Sequence, residues 1–194
     1  MSHPLESPWT FYIYSSNKGQ RAEQDYLKCI TKIAKVNTVE EFWAVYSHTI
    51  PPSKLKQNFA LHFFRGDSRA VREDEENQNG GTFFVKLLKN HASQEWEKLL
   101  LDFVSENIHK DVIGAVVSVR IDNERLLIWN KTSSDPSLRL EIANQLAKCL
   151  NLPFKSKIEY LAHQRIGNSK PIIYTIEAEG AVEQHSNNLS LIHI

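Results

Sequence analysis

Cysteine is scarce in this 194-residue chain: Cys29 and Cys149 are the only two, far apart and without paired spacing. That pattern excludes a disulfide framework and a thiolate metal site. No charge of one sign is in excess either. Lys plus Arg and Asp plus Glu number 23 each, so no global field draws the chain to nucleic acid or to a membrane surface, and any anion site has to be local. No apolar run approaches the roughly 20 residues needed to span a bilayer, and the opening MSHPLESPW lacks the charged and apolar regions of a signal peptide. The expected location is the cytosol or the nucleus, where the Asn-x-Ser/Thr matches at Asn130 and Asn188 are inert. Catalytic motifs are missing as well. There is no Gly-rich phosphate loop, no hydrolase pattern of spaced glutamates, and no Ser or Cys nucleophile beside a plausible base. The eight histidines are scattered without ligand spacing, which argues against a metal. The run Glu73, Asp74, Glu75, Glu76 leaves a Mg²⁺-dependent phosphohydrolase as the enzymatic alternative. The chain reads as a binding protein that needs no cofactor.

What is present is enough for one full core. Hydrophobic residues make up 41% and aromatics 10%, and neither a repeat nor an interdomain linker interrupts the chain. Strands are expected near 9–14, 28–36, 59–64, 82–88, 158–161 and 171–176, with a polar loop over 15–25. Thr38 and Glu41 form a capping box for a helix over 39–48, closed by Pro51 and Pro52. A helix capped by Ser93 runs to about Ile108, and a third opens at Asp135 and Pro136 and ends near Leu150. The expected fold is α+β: a curved, mostly antiparallel sheet with three helices on one face, forming a single domain over 1–180. Residues 181–194 carry no strong structural signal and read as a loose tail.

The hairpin at 111–130, DVIGAVVSVRIDNERLLIWN, carries the most chemistry. Both arms are rich in Val, Ile and Leu, and Ile121, Asp122, Asn123 and Glu124 supply the turn. Alternation puts Ser118, Arg120, Arg125, Leu127 and Trp129 on one face, with Arg120 and Arg125 opposed across the turn. Opposed like charges destabilise a sheet. Beside an indole they point to an anion with a flat or cationic part, such as a nucleotide; the alternative is a pair of solvated surface arginines. A second unusual feature lies in the helix at 39–48, where Phe42, Val45 and Tyr46 form a core stripe and Val39 and Trp43 form another. That second stripe, with Glu97 and Leu101 beside the Trp96 core face, suits an amphipathic partner helix. Burial of Trp43 in the core is the competing reading.

Several segments carry a family resemblance: HPL at 3–5, TVEEFWAVYSH at 38–48, EDE followed by GG within 73–81, and GAVVSVR with IW within 114–129. Over about residues 3–177 the chain resembles eukaryotic translation initiation factor 4E. WNKTSSD at 129–135, NLPFKSKIEYLAH at 151–163 and Tyr26 make it most similar to the repressing, 4E-homologous branch. The resemblance implies a cupped antiparallel sheet with three dorsal helices, and binding of the 7-methylguanosine cap of mRNA. Arg120 and Arg125 match the positions that hold the cap phosphates, Trp129 the one that touches the N7 methyl group, and Glu73 the carboxylate that accepts the guanine N1 and N2 hydrogens. Tyr26 matches one aromatic wall of the base site. Where the family has the opposite Trp, this chain has Arg72, which implies weaker cap binding and lower methyl selectivity.

His3, Pro4, Leu5, Val39, Trp43 and Leu101 match the dorsal surface on which partners dock a Tyr-x-x-x-x-Leu-hydrophobic helix, with Glu97 beside them. Lys98 stands where the initiation branch presents a Glu to a basic partner residue, which implies discrimination against the scaffold initiation factor. The implied partners are capped mRNA and such helix-bearing proteins, bound by a monomer that does not engage membranes. Two alternatives accompany this reading: an interaction module that has lost cap binding, and a conventional cap-binding initiation factor.

Overall fold

The computed structural model describes residues 2–16, 23–120, 123–164, 170–177 and 182–185. Nine strands form one sheet: β1 (Pro4–Ser15), β2 (Ile30–Thr38), β3 (Phe59–Arg65), β4 (Gly81–Leu87), β5 (Val112–Val119), β6 (Glu124–Asn130), β7 (Lys157–Ala162), β8 (Ile172–Ile176) and β9 (Val182–His185). Their order is β2-β1-β3-β5-β6-β4-β7-β8-β9, and every neighbouring pair is antiparallel. Four α-helices accompany it: α1 (Glu23–Lys28), α2 (Val39–Tyr46), α3 (Ala92–Val104) and α4 (Pro136–Cys149).

Successive strand residues point to opposite sides, so the sheet sorts its side chains into two groups. One face carries Trp9, Phe11, Phe63, Phe83, Leu126, Ile128, Ile158 and Tyr174, which pack under Phe42 of α2, Trp96, Leu99, Leu100 and Phe103 of α3, and Ile142 and Leu146 of α4. Trp9 lies stacked between Phe63 and Phe103, at 4.9 and 5.1 Å between ring centroids. The other face holds a smaller cluster of Tyr12, Ala60, Phe64, Val116 and Trp129. This curved open sheet with three helices on one side agrees with the fold expected from sequence.

The helix starts show where local signals suffice. At α2 the Thr38 hydroxyl accepts the Glu41 N–H at 3.1 Å and the Glu41 carboxylate accepts the Asn37 N–H at 2.7 Å, the expected box displaced by one residue. At α4 the Asp135 carboxylate accepts the N–H groups of Ser137 and Leu138, with Pro136 in the first turn. At α3 the expectation fails. Ser93 is bound to Ser53 instead, and the cap is Glu124, buried and 32 residues away from Ala92, accepting the N–H groups of Asn90 at 2.7 Å and Ala92 at 2.8 Å. A carboxylate there satisfies two orphan donors and opposes the positive end of the helix dipole. Glu124 is thus a structural cap rather than part of the turn.

Two further elements differ from the sequence reading. Residues 23–28 form α1, overlapping the end of the expected loop and the first residue of the expected second strand, and 182–185 form β9 on β8 where the sequence carries no strong signal.

Candidate functional site

The open face of the sheet bears a cleft of about 510 Å³ lined by Tyr26, Leu27, Val71, Arg72, Glu73, Leu127 and Trp129. It brings together the four residues assigned to a base site from sequence, although they come from α1, the β3–β4 loop and β6. Trp129 lies at the base of the cleft, 5% exposed, edge-on to Phe64 at 6.0 Å and tilted against His163 at 4.5 Å. Its Nε1 is buried without a hydrogen-bond partner among the described residues. Tyr26 packs on Tyr14 at 5.1 Å. Burial, with Tyr14 and Glu73 adding to it and Arg72 opposing, pushes the Tyr26 hydroxyl up to about 12, so it stays protonated at neutral pH.

The loop that presents Arg72 and Glu73 is braced from below. Buried Asn77 donates to the carbonyls of Arg69 at 2.9 Å and Val71 at 2.7 Å, and its own carbonyl lies 2.6 Å from His163 Nδ1. His163 Nδ1 therefore carries the proton and Nε2 accepts from the Thr82 hydroxyl at 2.8 Å. Burial holds His163 below its usual range, so it is neutral, fixing the ring that rests on Trp129. Gly80 and Gly81 close the loop, because a Cβ would run into the Asn130 carbonyl at the first and the Tyr160 ring at the second. Arg72 and Glu73 are left exposed, and the Glu73 carboxylate makes no hydrogen bond among the described residues. Neither Asn77 nor His163 stands out in the sequence. The Asn between the acidic run and the Gly pair was the available signal for the first.

The hairpin departs from its expected register. Arg120 and Arg125 are not opposed: Arg125 stands across from Ser118, and Arg120 lies past the end of β5, its N–H donating to the Asn123 carbonyl at 2.9 Å. Ile121 and Asp122 lie outside the described residues. Arg125 Nε donates to the Asn123 side chain at 2.8 Å, which leaves its terminal N–H groups free of described partners. It shares a face with Leu127 and Trp129 and projects into a second cavity, while Arg120 is exposed at the tip. The cross-strand pair of like charges expected from the sequence is therefore not formed at this turn.

On the helix-covered side, Trp43 is 42% and Val39 38% exposed, which rules out burial of Trp43 in the core. Trp43 sits edge-on to Phe42 and Tyr46. His3 joins the same surface: its carbonyl accepts the Val39 N–H, and its backbone N–H and Nδ1 meet the Glu40 carboxylate at 3.0 and 2.6 Å, contacts that hold Glu40 down to about 2. Pro4 opens β1 opposite Thr38. Leu5 and Leu101 are partly buried against the core. Glu97 accepts the Tyr46 hydroxyl at 2.8 Å. Lys98 pairs with Glu95 at 3.0 Å and lines a separate cavity with His91, Leu150 and Leu152. Glu97, rather than Lys98, is thus the charge tied to α2.

Among the described residues no group of His, Cys, Asp or Glu is arranged to hold a metal, and no helix is long and apolar enough to cross a membrane.

A curved antiparallel sheet with an aromatic and acidic cleft on its open face and a Trp-bearing helix on the other defines the architecture. The family model for eukaryotic initiation factor 4E matches residues 4–176, and the chain belongs to that family. It is 32% identical over 163 residues to the eukaryotic translation initiation factor NCBP of Oryza sativa, covering 83% of this chain and 71% of the rice protein. The crystal structure of Ascaris suum eIF4E-3 with m7G cap superposes with a TM-score of 0.79 at 28% identity, covering 89% of this chain and 98% of that one. The complex of C. elegans eIF4E-3 with the 4E-binding protein Mextli and cap analog superposes at 0.78 and 23% identity, covering 84% and 94%, and shares the fold. Membership places the chain among translation factors rather than enzymes.

Proposed function

We propose that the chain binds the 7-methylguanosine cap of mRNA in the cleft between Tyr26, Arg72, Glu73 and Trp129, weakly for its family, and represses translation through the surface around Trp43. The observation that carries this reading is the convergence of three separate elements on one cleft. Tyr26 offers a ring, Trp129 an indole beneath, and Glu73 a carboxylate that makes no hydrogen bond among the described residues. A carboxylate accepts two parallel N–H bonds from guanine, and a base made cationic by methylation stacks well on electron-rich rings. Similar solved structures hold a cap.

Arg72 sets the affinity. It replaces a ring, and its charge repels the methylated base; a lost base–aromatic stack costs about 1–3 kcal/mol. The same residue supports the second reading, a 4E-like interaction module that no longer binds cap. Repression is supported by the resemblance to the 4E-homologous branch and by a cation, Lys98, at the position where initiation factors offer a carboxylate. A partner with a Tyr-x-x-x-x-Leu-hydrophobic helix fits the exposed Val39–Trp43 stripe. Titration with methylated and unmethylated cap analogues tests the cap reading. Weak but saturable binding with modest methyl preference supports it, and no binding favours the interaction module. Recovery of the scaffold initiation factor at ordinary strength in a pull-down counts against the repressor role.

A further inference from the structure

The cap reading uses Tyr26, Glu73, Trp129 and the hairpin arginines, and leaves a group of cations on the adjoining strands without a role. Lys86 stands directly across from Arg125 in the β4–β6 register, and one residue past the Val85–Ile158 pair brings Lys157 across from Lys86. Three cations thus occupy one line across β6, β4 and β7, strands spaced about 4.8 Å apart. With Phe84, Asn123 and Glu159 they line an open cavity of about 310 Å³ in which Glu159 is the one carboxylate among the described residues. Lys86 and Lys157 are exposed, and neither forms an ion pair or a side-chain hydrogen bond among the described residues. Beyond Lys157 the line continues through Thr175 to Glu183, where the positive track ends.

Cross-strand like charges are unfavourable, and a chain with 23 acids and 23 bases has carboxylates enough to break up the row. Its persistence on one face points to an anion with several charges in sequence. The row is continuous with Arg125, which lies four residues along β6 from Trp129 on the same face, about 13 Å at the strand rise. A strand whose cap base rests at Trp129 and whose first phosphates reach Arg125 arrives next at Lys86. Lysine suits that task, since it neutralises phosphate as a point charge without reading sequence. Half-buried Phe84 adds a ring to the cavity floor, the kind of surface on which a base rests whatever its identity.

We propose that Lys86 and Lys157 hold the phosphodiester backbone of the RNA that follows the cap, leading the strand from β6 across β4 to β7. The proposal rests on the cap reading above. The test measures three ligands, 7-methyl-GTP, a capped ten-nucleotide RNA and the same RNA uncapped, over a range of salt, with the wild-type chain, the double variant K86A/K157A and the charge-conserving K86R/K157R. For K86A/K157A, 7-methyl-GTP affinity is expected within about twofold of wild type. The capped RNA is expected to lose roughly 25-fold at 0.1 M salt, with a dependence on log salt shallower by about 1.4, from about 0.7 per phosphate contact on a single strand. K86R/K157R should restore both. Equal losses on 7-methyl-GTP and capped RNA, or an unchanged salt slope, overturn the proposal. A wild-type chain that ignores 7-methyl-GTP refutes the cap reading separately. The uncapped strand then decides the track, upheld by a shallower slope in K86A/K157A and overturned by an unchanged one.

Discussion

Replacing Arg72 by Trp is the sharpest perturbation of the proposed base site. Arg72 is exposed on a loop braced by Asn77, so the larger ring can be accommodated without disturbing the core. Burial is the main influence on both Tyr26 and His163, and the Arg72 charge pulls both values down; a cationic base in the same cleft meets that field directly. Arg72→Trp removes the repulsion and supplies the missing ring. At about 1–3 kcal/mol per stack and 1.4 kcal/mol per decade, methylated cap analogue should bind roughly 5- to 140-fold tighter. Arg72→Ala, which removes charge without adding a ring, should recover only a small part of this. Calorimetric titration is the suitable assay, because the added Trp alters the fluorescence signal. Two results would refute the reasoning: unchanged affinity in a normally folded Arg72→Trp variant, or a wild-type preference for the methylated base as strong as the variant's.

Trp43→Ala should weaken a Tyr-x-x-x-x-Leu-hydrophobic peptide by about 2 kcal/mol or more, as for an interface hot spot, while the half-exposed site leaves the melting temperature nearly unchanged; a matching fall in melting temperature would show Trp43 to be structural. Glu124→Gln keeps one acceptor but loses the charge, and should cost about 1–3 kcal/mol of stability, seen as a drop of about 2–4 °C in melting midpoint per kcal/mol for a chain of this size. His62 is buried beside Tyr14 and Phe64 with its Nδ1 unpartnered among the described residues, and burial lowers its value to about 3. Its folded value lies below the unfolded one, so the unfolded chain binds the extra proton. Stability is therefore full above about pH 6.5 and lost as pH falls toward 3, by up to about 1.4 kcal/mol per unit. His62→Phe should flatten that stretch of a denaturation series, and an unaltered profile would remove His62 as its cause.

Period-two alternation was enough to place Arg125, Leu127 and Trp129 on one face, because that property belongs to a single strand. The register of the hairpin does not. It depends on where the turn closes, and closure of the Arg120 N–H on the Asn123 carbonyl sets Ser118 rather than Arg120 across from Arg125. The Thr38 and Asp135 caps were legible since donor and acceptor lie within a few residues. The cap of α3 was not, since its carboxylate comes from β6. The six residues of α1 and the four of β9 are too short for periodicity to register. The cleft itself was legible through the family motifs, whereas the Asn77–His163 brace joins residues 86 apart that no local pattern connects.

Glu124 sits one residue before Arg125 on β6 and fastens the first turn of α3, the helix that carries Glu97 and Leu101. Its backbone lies in the strand that carries Arg125, and its buried carboxylate reaches to the helix-covered side, so one residue couples the two faces of the sheet. A lesion at this position would mimic simultaneous damage to both faces while touching neither ligand. A variant that loses RNA and partner together is thus the signature of a failed fastening, and a variant that loses one alone marks a true contact.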